Sequence, residues 1–169
     1  MILSDIEDKT TIFIDANIFV YYFSENSRFN PSCTEFIERI EKGEIQGVSS
    51  ASVVQETTHR IMMEEASLAL PDVKGKDIIK YLKSHPETVE KLEINREVPD
   101  RIALLKIIIV PIDMGIIKRS QQLKAQYGLL SNDALMLQVM KDSNISRLAS
   151  NDSDFERVDF ITIYKPFPL

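Results

Sequence analysis

The sequence predicts an α/β fold, a single three-layer domain with a mainly parallel central sheet flanked by helices. Three observations carry this prediction. Short β-branched runs alternate with amphipathic helical stretches, as in βαβ units. Strand candidates such as Ile12-Phe13-Ile14 are apolar throughout, the pattern of strands covered on both faces. Nothing repeats internally at a fixed period.

The first strand runs from Thr11 through Ile14 and stops at Asp15. A helix over 31–42 follows, with Phe36, Ile37 and Ile40 at helical spacing, Pro31-Ser32 at its start and Gly43 at its end. Ile45 to Val48 reads as a second strand, and Ser49-Ser50 cap a helix carrying Val53, Val54, Glu56, Ile61 and Met62. Pro71, Gly75, Pro86 and Pro99 punctuate charged helical segments, so 63–100 reads as a helical insertion on the surface of a domain spanning 1–169. Ala103 to Ile112 is a helix end passing into a strand. The pattern then gives a helix over 115–127 ended by Gly128, and a second helix capped by Ser131. A strand over Arg147–Ser150, a helix start over Asn151–Glu156 and a strand over Phe160–Lys165 complete the chain.

With 169 residues, a single core can bury roughly 70% of the unfolded chain's surface without disulfides or a structural metal. Cys33 is the only cysteine, and the chain opens without a basic-then-apolar segment, so a cytoplasmic location is expected. No apolar run approaches the roughly 18 residues of a membrane span. The net charge of −6 is unevenly placed: residues 1–73 carry five Lys/Arg against thirteen Asp/Glu, whereas 74–169 carry fifteen against thirteen. This is the pattern of a solvated acidic face, or of acids gathered at a cation site with basic groups free to meet a polyanion.

In parallel sheets ligands bind beyond the carboxyl ends of the strands, and the acids stand there. Asp15 ends the first strand, Glu56 lies one and a half turns into the helix after the second, Asp133 lies in the first turn of its helix, and Asp152 and Asp154 follow the strand ending at Ser150. Each has an ordinary explanation alone. Asp133 and Asp152 would meet a helix dipole favourably, Asp154 would cap a turn, and Glu56 would be a helix-surface residue. Asp15 is harder to dismiss, because a carboxylate after a buried strand pays desolvation unless it is paired or coordinated. Two carboxylates about 4 Å apart repel by about 4 kcal/mol at an effective dielectric near 20, so several at one place need a cation or must take up protons. No Lys or Arg flanks these acids in sequence, and an all-oxygen anionic donor set suits Mg2+ or Mn2+. On this basis Asp15→Asn is expected to raise the melting temperature of the metal-free protein.

The runs Ile12-Phe13-Ile14-Asp15-Ala16-Asn17, helical Glu56, Leu130-Ser131-Asn132-Asp133-Ala134-Leu135 and Leu148-Ala149-Ser150-Asn151-Asp152-Ser153-Asp154-Phe155 together resemble the PIN domain in its VapC-like toxin branch, over nearly the whole chain. The resemblance implies a PIN-like fold and a metal-dependent endoribonuclease, the toxin of a toxin–antitoxin pair, binding RNA and an antitoxin protein and forming a homodimer. It assigns Asp15, Glu56, Asp133 and Asp152 as catalytic and Mg2+- or Mn2+-binding residues. Asp154, Asn17 and Ser150 are accessory residues of that site. The stretch from Met63 to Pro99 is longer than compact family toxins require. Its Lys74, Lys76, Lys80, Lys83, Lys91 and Arg96 read either as a phosphate-contacting surface or as a solvated helical pair.

Other chemistries are less well served. Glu56-Thr57-Thr58-His59 is a Glu-x-x-His pair, but a di-iron bundle needs two, and Leu82 stands three residues before His85. Lys165-Pro166 resembles the final Lys-Pro of a receiver domain, yet the closing helix is missing and Asp15 lacks an adjacent acid. Asn17 replaces the second acid of an Asp-x-Asp phosphatase pair, and neither a P-loop nor a Rossmann glycine motif is present. A non-catalytic metal- or RNA-binding module of the same fold, or a housekeeping RNA-processing nuclease, remains as the alternative.

Overall fold

A computed structural model describes residues 1–168. At its centre lies a five-stranded sheet, ordered β3-β2-β1-β4-β5 with every pairing parallel: β1 (Thr11–Ile14), β2 (Gln46–Ser50), β3 (Ile108–Val110), β4 (Arg147–Ala149) and β5 (Thr162–Tyr164). Ile12, Phe13 and Ile14 of β1 are fully buried, as the apolar run requires of a central strand covered on both faces. Because the chain continues to β2 on one side of β1 while β4 pairs on the other, a crevice opens beyond the carboxyl ends of β1 and β4.

Eight helices cover the sheet among the described residues: α1 (Ala16–Phe23), α2 (Asn30–Glu41), α3 (Ala51–Ala69), α4 (Gly75–Ser84), α5 (Pro86–Val89), α6 (Ile94–Ala103), α7 (Met114–Tyr127) and α8 (Ser131–Asp142). Short 3-10 turns stand at Leu3–Asp5 and Ser153–Arg157. Helix α1 does not follow from sequence periodicity. Its residues Ala16-Asn17-Ile18-Phe19-Val20 are all buried, so no polar face marks it as helical, and Asp15 starts it by accepting from the Ala16 N–H at 2.6 Å. Ser50 caps α3 as expected, accepting from the Val53 N–H. Ser131, in contrast, is not a cap: Leu130 occupies that position, and the Ser131 hydroxyl instead accepts from Lys124 Nζ at 3.0 Å.

The main core joins the buried faces of α1, α2 and α8 to the sheet, with Phe19, Phe36, Leu137 and Met140 among its most enclosed side chains. Ala66, Ile78, Leu82 and Leu92 form a second, smaller cluster that seats α4 on the far half of α3. Glu65 of α3 fastens α6 to the same helix. Its carboxylate accepts from the backbone N–H groups of Glu93, Ile94 and Asn95 and from Asn95 Nδ2, at 2.7 to 3.2 Å. These bonds satisfy donors at the start of α6 and hold the Glu65 carboxyl below its ordinary value despite partial desolvation.

Gly128 ends α7 in the left-handed conformation at φ +61°, with nothing closer than 3.8 Å to where a Cβ would stand. Gly128→Ala therefore costs backbone strain alone, about 1 kcal/mol. A melting temperature lower by roughly 2–4 °C, largely restored by Gly128→Asn, is the expected calorimetric result. Among the described residues no helix is long and apolar enough to cross a membrane.

Candidate active site at the carboxyl edge of the sheet

Four elements deliver acids to the crevice. Asp15 leaves β1 and is held in place by β4: its backbone N–H donates to the Ala149 carbonyl at 3.1 Å, and its Oδ2 accepts from Ser150 Oγ at 2.6 Å. Asn17 Nδ2 donates to the same carboxylate oxygen and to Ser150 Oγ at 3.1 Å, while Asn17 Oδ1 accepts from the Asn151 N–H at 3.1 Å. Asp15, Asn17 and Ser150 are all buried, so this network is the hinge pin between β1 and the segment after β4. Ser150 Oγ also accepts from the Asp152 N–H at 3.0 Å, and Asp152 Oδ1 accepts from the Asp154 N–H at 2.8 Å, which turns the chain into its 3-10 segment.

Across the crevice Glu56 and Asp133 stand on α3 and α8, and Asn132 Nδ2 makes a long, weak 3.4 Å hydrogen bond to Glu56 Oε2. The electrostatics tie the group together. Asp133 is pushed up to about 6 by burial first, then by the negative charges of Asp152, Glu56 and Asp154. Asp15 is also pushed up to about 6, chiefly by burial, with Glu56 adding to the rise and the Ser150 and Ala16 hydrogen bonds opposing it. Glu56 therefore bears on both Asp15 and Asp133, and Asp152 bears on Asp133, at one edge of the sheet. Among the described residues no three of them close into a metal cage, so the arrangement is an open group of oxygen donors.

Two expectations change. Arg60, one turn beyond Glu56 on α3, lowers the Asp15 carboxyl electrostatically, and Arg157 forms an ion pair with Asp154. Cations therefore do flank the acids, at the i+3 and i+4 spacings of helical neighbours. Asp154 is consequently tied to Arg157 and reaches the group through its charge on Asp133. The expected stabilisation by Asp15→Asn does not follow either. The Asp15 carboxylate accepts three hydrogen bonds, and an amide would turn a donor against donors. Asp133, pressed by three other acids and drawing only the backbone of Leu130 in compensation, is where repulsion can be relieved.

The model of the PIN domain matches residues 12–161, a span that includes the four acids. Two proteins of Methanocaldococcus jannaschii resemble the chain along its length. Ribonuclease VapC2 is 28% identical over 156 residues, covering 92% of this chain and 94% of its own. Ribonuclease VapC6 is 26% identical, covering 92% and 97%. Among solved structures, VapBC2 from Rickettsia felis bound to a DNA fragment from their promoter superposes with a TM-score of 0.58 at 18% identity, over 92% of this chain and 98% of that one. With the match reaching from the first residues of β1 to the threshold of β5, the chain belongs to the PIN domain family.

Proposed function

We propose that this protein is a metal-dependent endoribonuclease and the toxin of a toxin–antitoxin pair. The observation that carries the reading is the setting of Asp133, whose carboxyl is raised by burial first and then by the negative charges of Asp152, Glu56 and Asp154 from two other elements. Excess negative charge of this kind is relieved by a divalent cation, and an open, all-oxygen group suits Mg2+ or Mn2+, which keep several waters of their own. Asp15, Glu56, Asp133 and Asp152 would hold the ion. When bound it supplies positive charge to the scissile phosphate and acidifies the attacking water. The relatives' names support RNA as the substrate, and a structural neighbour from Klebsiella pneumoniae that is a toxin–antitoxin complex supports an antitoxin partner.

The residues around the acids have separate parts in this. Ser150, Asn17 and the Ala16 N–H fix the direction of the Asp15 carboxylate, so that its lone pairs face the crevice in one arrangement. Asp152 is aimed by its bond to the Asp154 N–H, and Glu56 is linked to α8 by Asn132. None of these roles needs a histidine, in keeping with the absence of both His59 and His85 from the hydrogen bonds of the acid group. A homodimer belongs to the same reading, with the exposed Met114 and Ile117 at the start of α7 offering apolar surface. A cytoplasmic location fits the single, buried Cys33.

Incubating a pool of end-labelled RNAs with the purified chain tests the proposal. Cleavage with Mn2+ or Mg2+, none in EDTA, and fragments ending in 5′-phosphate and 3′-hydroxyl are expected. Cutting that persists in EDTA would overturn the metal's role. Mn2+ binding without any cleavage would favour a binding module of the same fold.

A further inference from the structure

We propose that the groove between α3 and the helices α4 to α6 is a docking track for single-stranded RNA, holding an unpaired base on its apolar wall and the adjoining phosphates on its basic rim. The inference rests on the ribonuclease reading above and names the surface that reading lacks. The groove has a volume of about 600 Å3, within the range of clefts that enclose a small ligand. Met62, Met63 and Ile79 form apolar lining, and Ile79 is 46% exposed, so this surface is open to an occupant. Thioether side chains adapt to a flat π-face, and a base stacked on such a wall is held without regard to sequence.

Charge selects a polyanion over a protein helix as that occupant. Lys83 and Arg96 line the groove against one acid, Glu90. Lys76 and Lys80 extend the rim, lying on the same face of α4 as Lys83 at the i, i+4, i+7 spacing. Among the described residues none of Lys76, Lys80, Lys83 and Arg96 takes part in an ion pair, in a chain whose net charge is −6. Arg96 is held in place by the carbonyls of Val89 and Glu90, at 3.4 and 2.6 Å, so its guanidinium is positioned in advance of any ligand.

The groove also leads to the acids. His59 at its end stands three residues beyond Glu56 on α3, a separation of about 5 Å along the helix axis. Arg60 lies on the same turn and reaches the Asp15 side of the crevice electrostatically. A strand seated on the Lys83 rim would thus be led along a file of cations to the carboxylate group, which by itself repels phosphate.

The test is binding of a fluorescent single-stranded RNA to the full chain in EDTA, where no metal assists the acidic crevice. Lys80→Glu with Lys83→Glu should weaken binding by tenfold or more at about 0.1 M salt. It should also make the plot of log affinity against log salt shallower by about 1.4, the value for two phosphate contacts on a single strand. Ile79→Asp, at an exposed position that does not threaten folding, should weaken binding of the single strand while leaving the weaker binding of a blunt duplex unchanged. In Mn2+ the charge variant should raise KM, and its melting temperature should respond to Mn2+ as the wild type does. Unchanged affinity and salt slope would overturn the proposal, and would do so even with cleavage intact. Loss of antitoxin binding with RNA binding unchanged would also overturn it, making the groove a protein surface. RNA binding that is lost in the variants of a chain that never cleaves would support the groove and refute the nuclease.

Discussion

Asp133→Asn is expected to abolish RNA cleavage, by at least about 100-fold, and at the same time to stabilise the metal-free protein at pH 7. The two effects have one cause. The Asp133 carboxyl ionises near 3.8 in the unfolded chain and near 6 in the folded one, because burial and three neighbouring acids oppose its charge. Folding is therefore unaffected by this group below about pH 4, loses stability as the pH rises from 4 to 6, and bears the whole penalty above 6. For a fully enclosed carboxyl the penalty would be about 3 kcal/mol. Asp133 is only half-buried, and screening by solvent reduces the figure to about 1 kcal/mol. An amide of the same shape removes the charge, so the variant should melt roughly 2–4 °C higher than the wild type at pH 7 and alike at pH 4. Adding Mn2+ should raise the melting temperature of the wild type and move that of the variant much less. A variant that is inactive but no more stable at pH 7 than at pH 4, relative to wild type, would mean that the acids do not press on one another.

The acids were legible in the sequence because of where strands end. An apolar run such as Ile12-Phe13-Ile14 commits its residues to a buried strand, so the carboxylate that follows must lie at the sheet edge, and parallel topology brings every such edge to the same side. Asn17 and Ser150 were found as members of motifs, and the structure adds that they share the Asp15 carboxylate. Other features were beyond sequence reasoning for definite reasons. Helix α1 carries no periodic signal because it is buried on all sides over its first five residues. The Glu65 bonds to the start of α6 join residues 28 to 30 positions apart, which no local capping rule detects. The Lys124 bond to Ser131 depends on the angle between α7 and α8, and with Leu130 at the cap position the expected Ser131 cap does not form. Arg60 and Arg157 were at visible spacings from Glu56 and Asp154, and helical i+3 and i+4 geometry was the signal that would have paired them with the site.

Asn17→Ala should lower cleavage by about 10- to 100-fold although the buried Asn17 amide is engaged within the protein. The amide makes three hydrogen bonds inside the protein, to Asp15, to Ser150 and from the Asn151 N–H, and truncation leaves the part-buried Asn151 donor without its protein partner. That loss costs about 1 kcal/mol of stability. Asp15 would retain the Ala16 N–H on Oδ1 and Ser150 on Oδ2 but lose one of the two donors on Oδ2, so the carboxylate should be held less firmly in the direction in which it helps hold an ion. Weaker Mn2+ affinity, read from titration of the melting temperature, distinguishes this positioning role from simple loss of stability. Asn17→Asp sharpens the distinction, since it keeps the shape and the acceptor for Asn151 but sets a second carboxylate against Asp15. One of the two must then hold a proton, as in any carboxylate pair at hydrogen-bond distance. Without metal, Asn17→Asp should approach wild-type stability near pH 5 and fall well below it at pH 8. A pH-independent loss equal to that of Asn17→Ala would show that Asn17 supports packing and has no part in orienting Asp15.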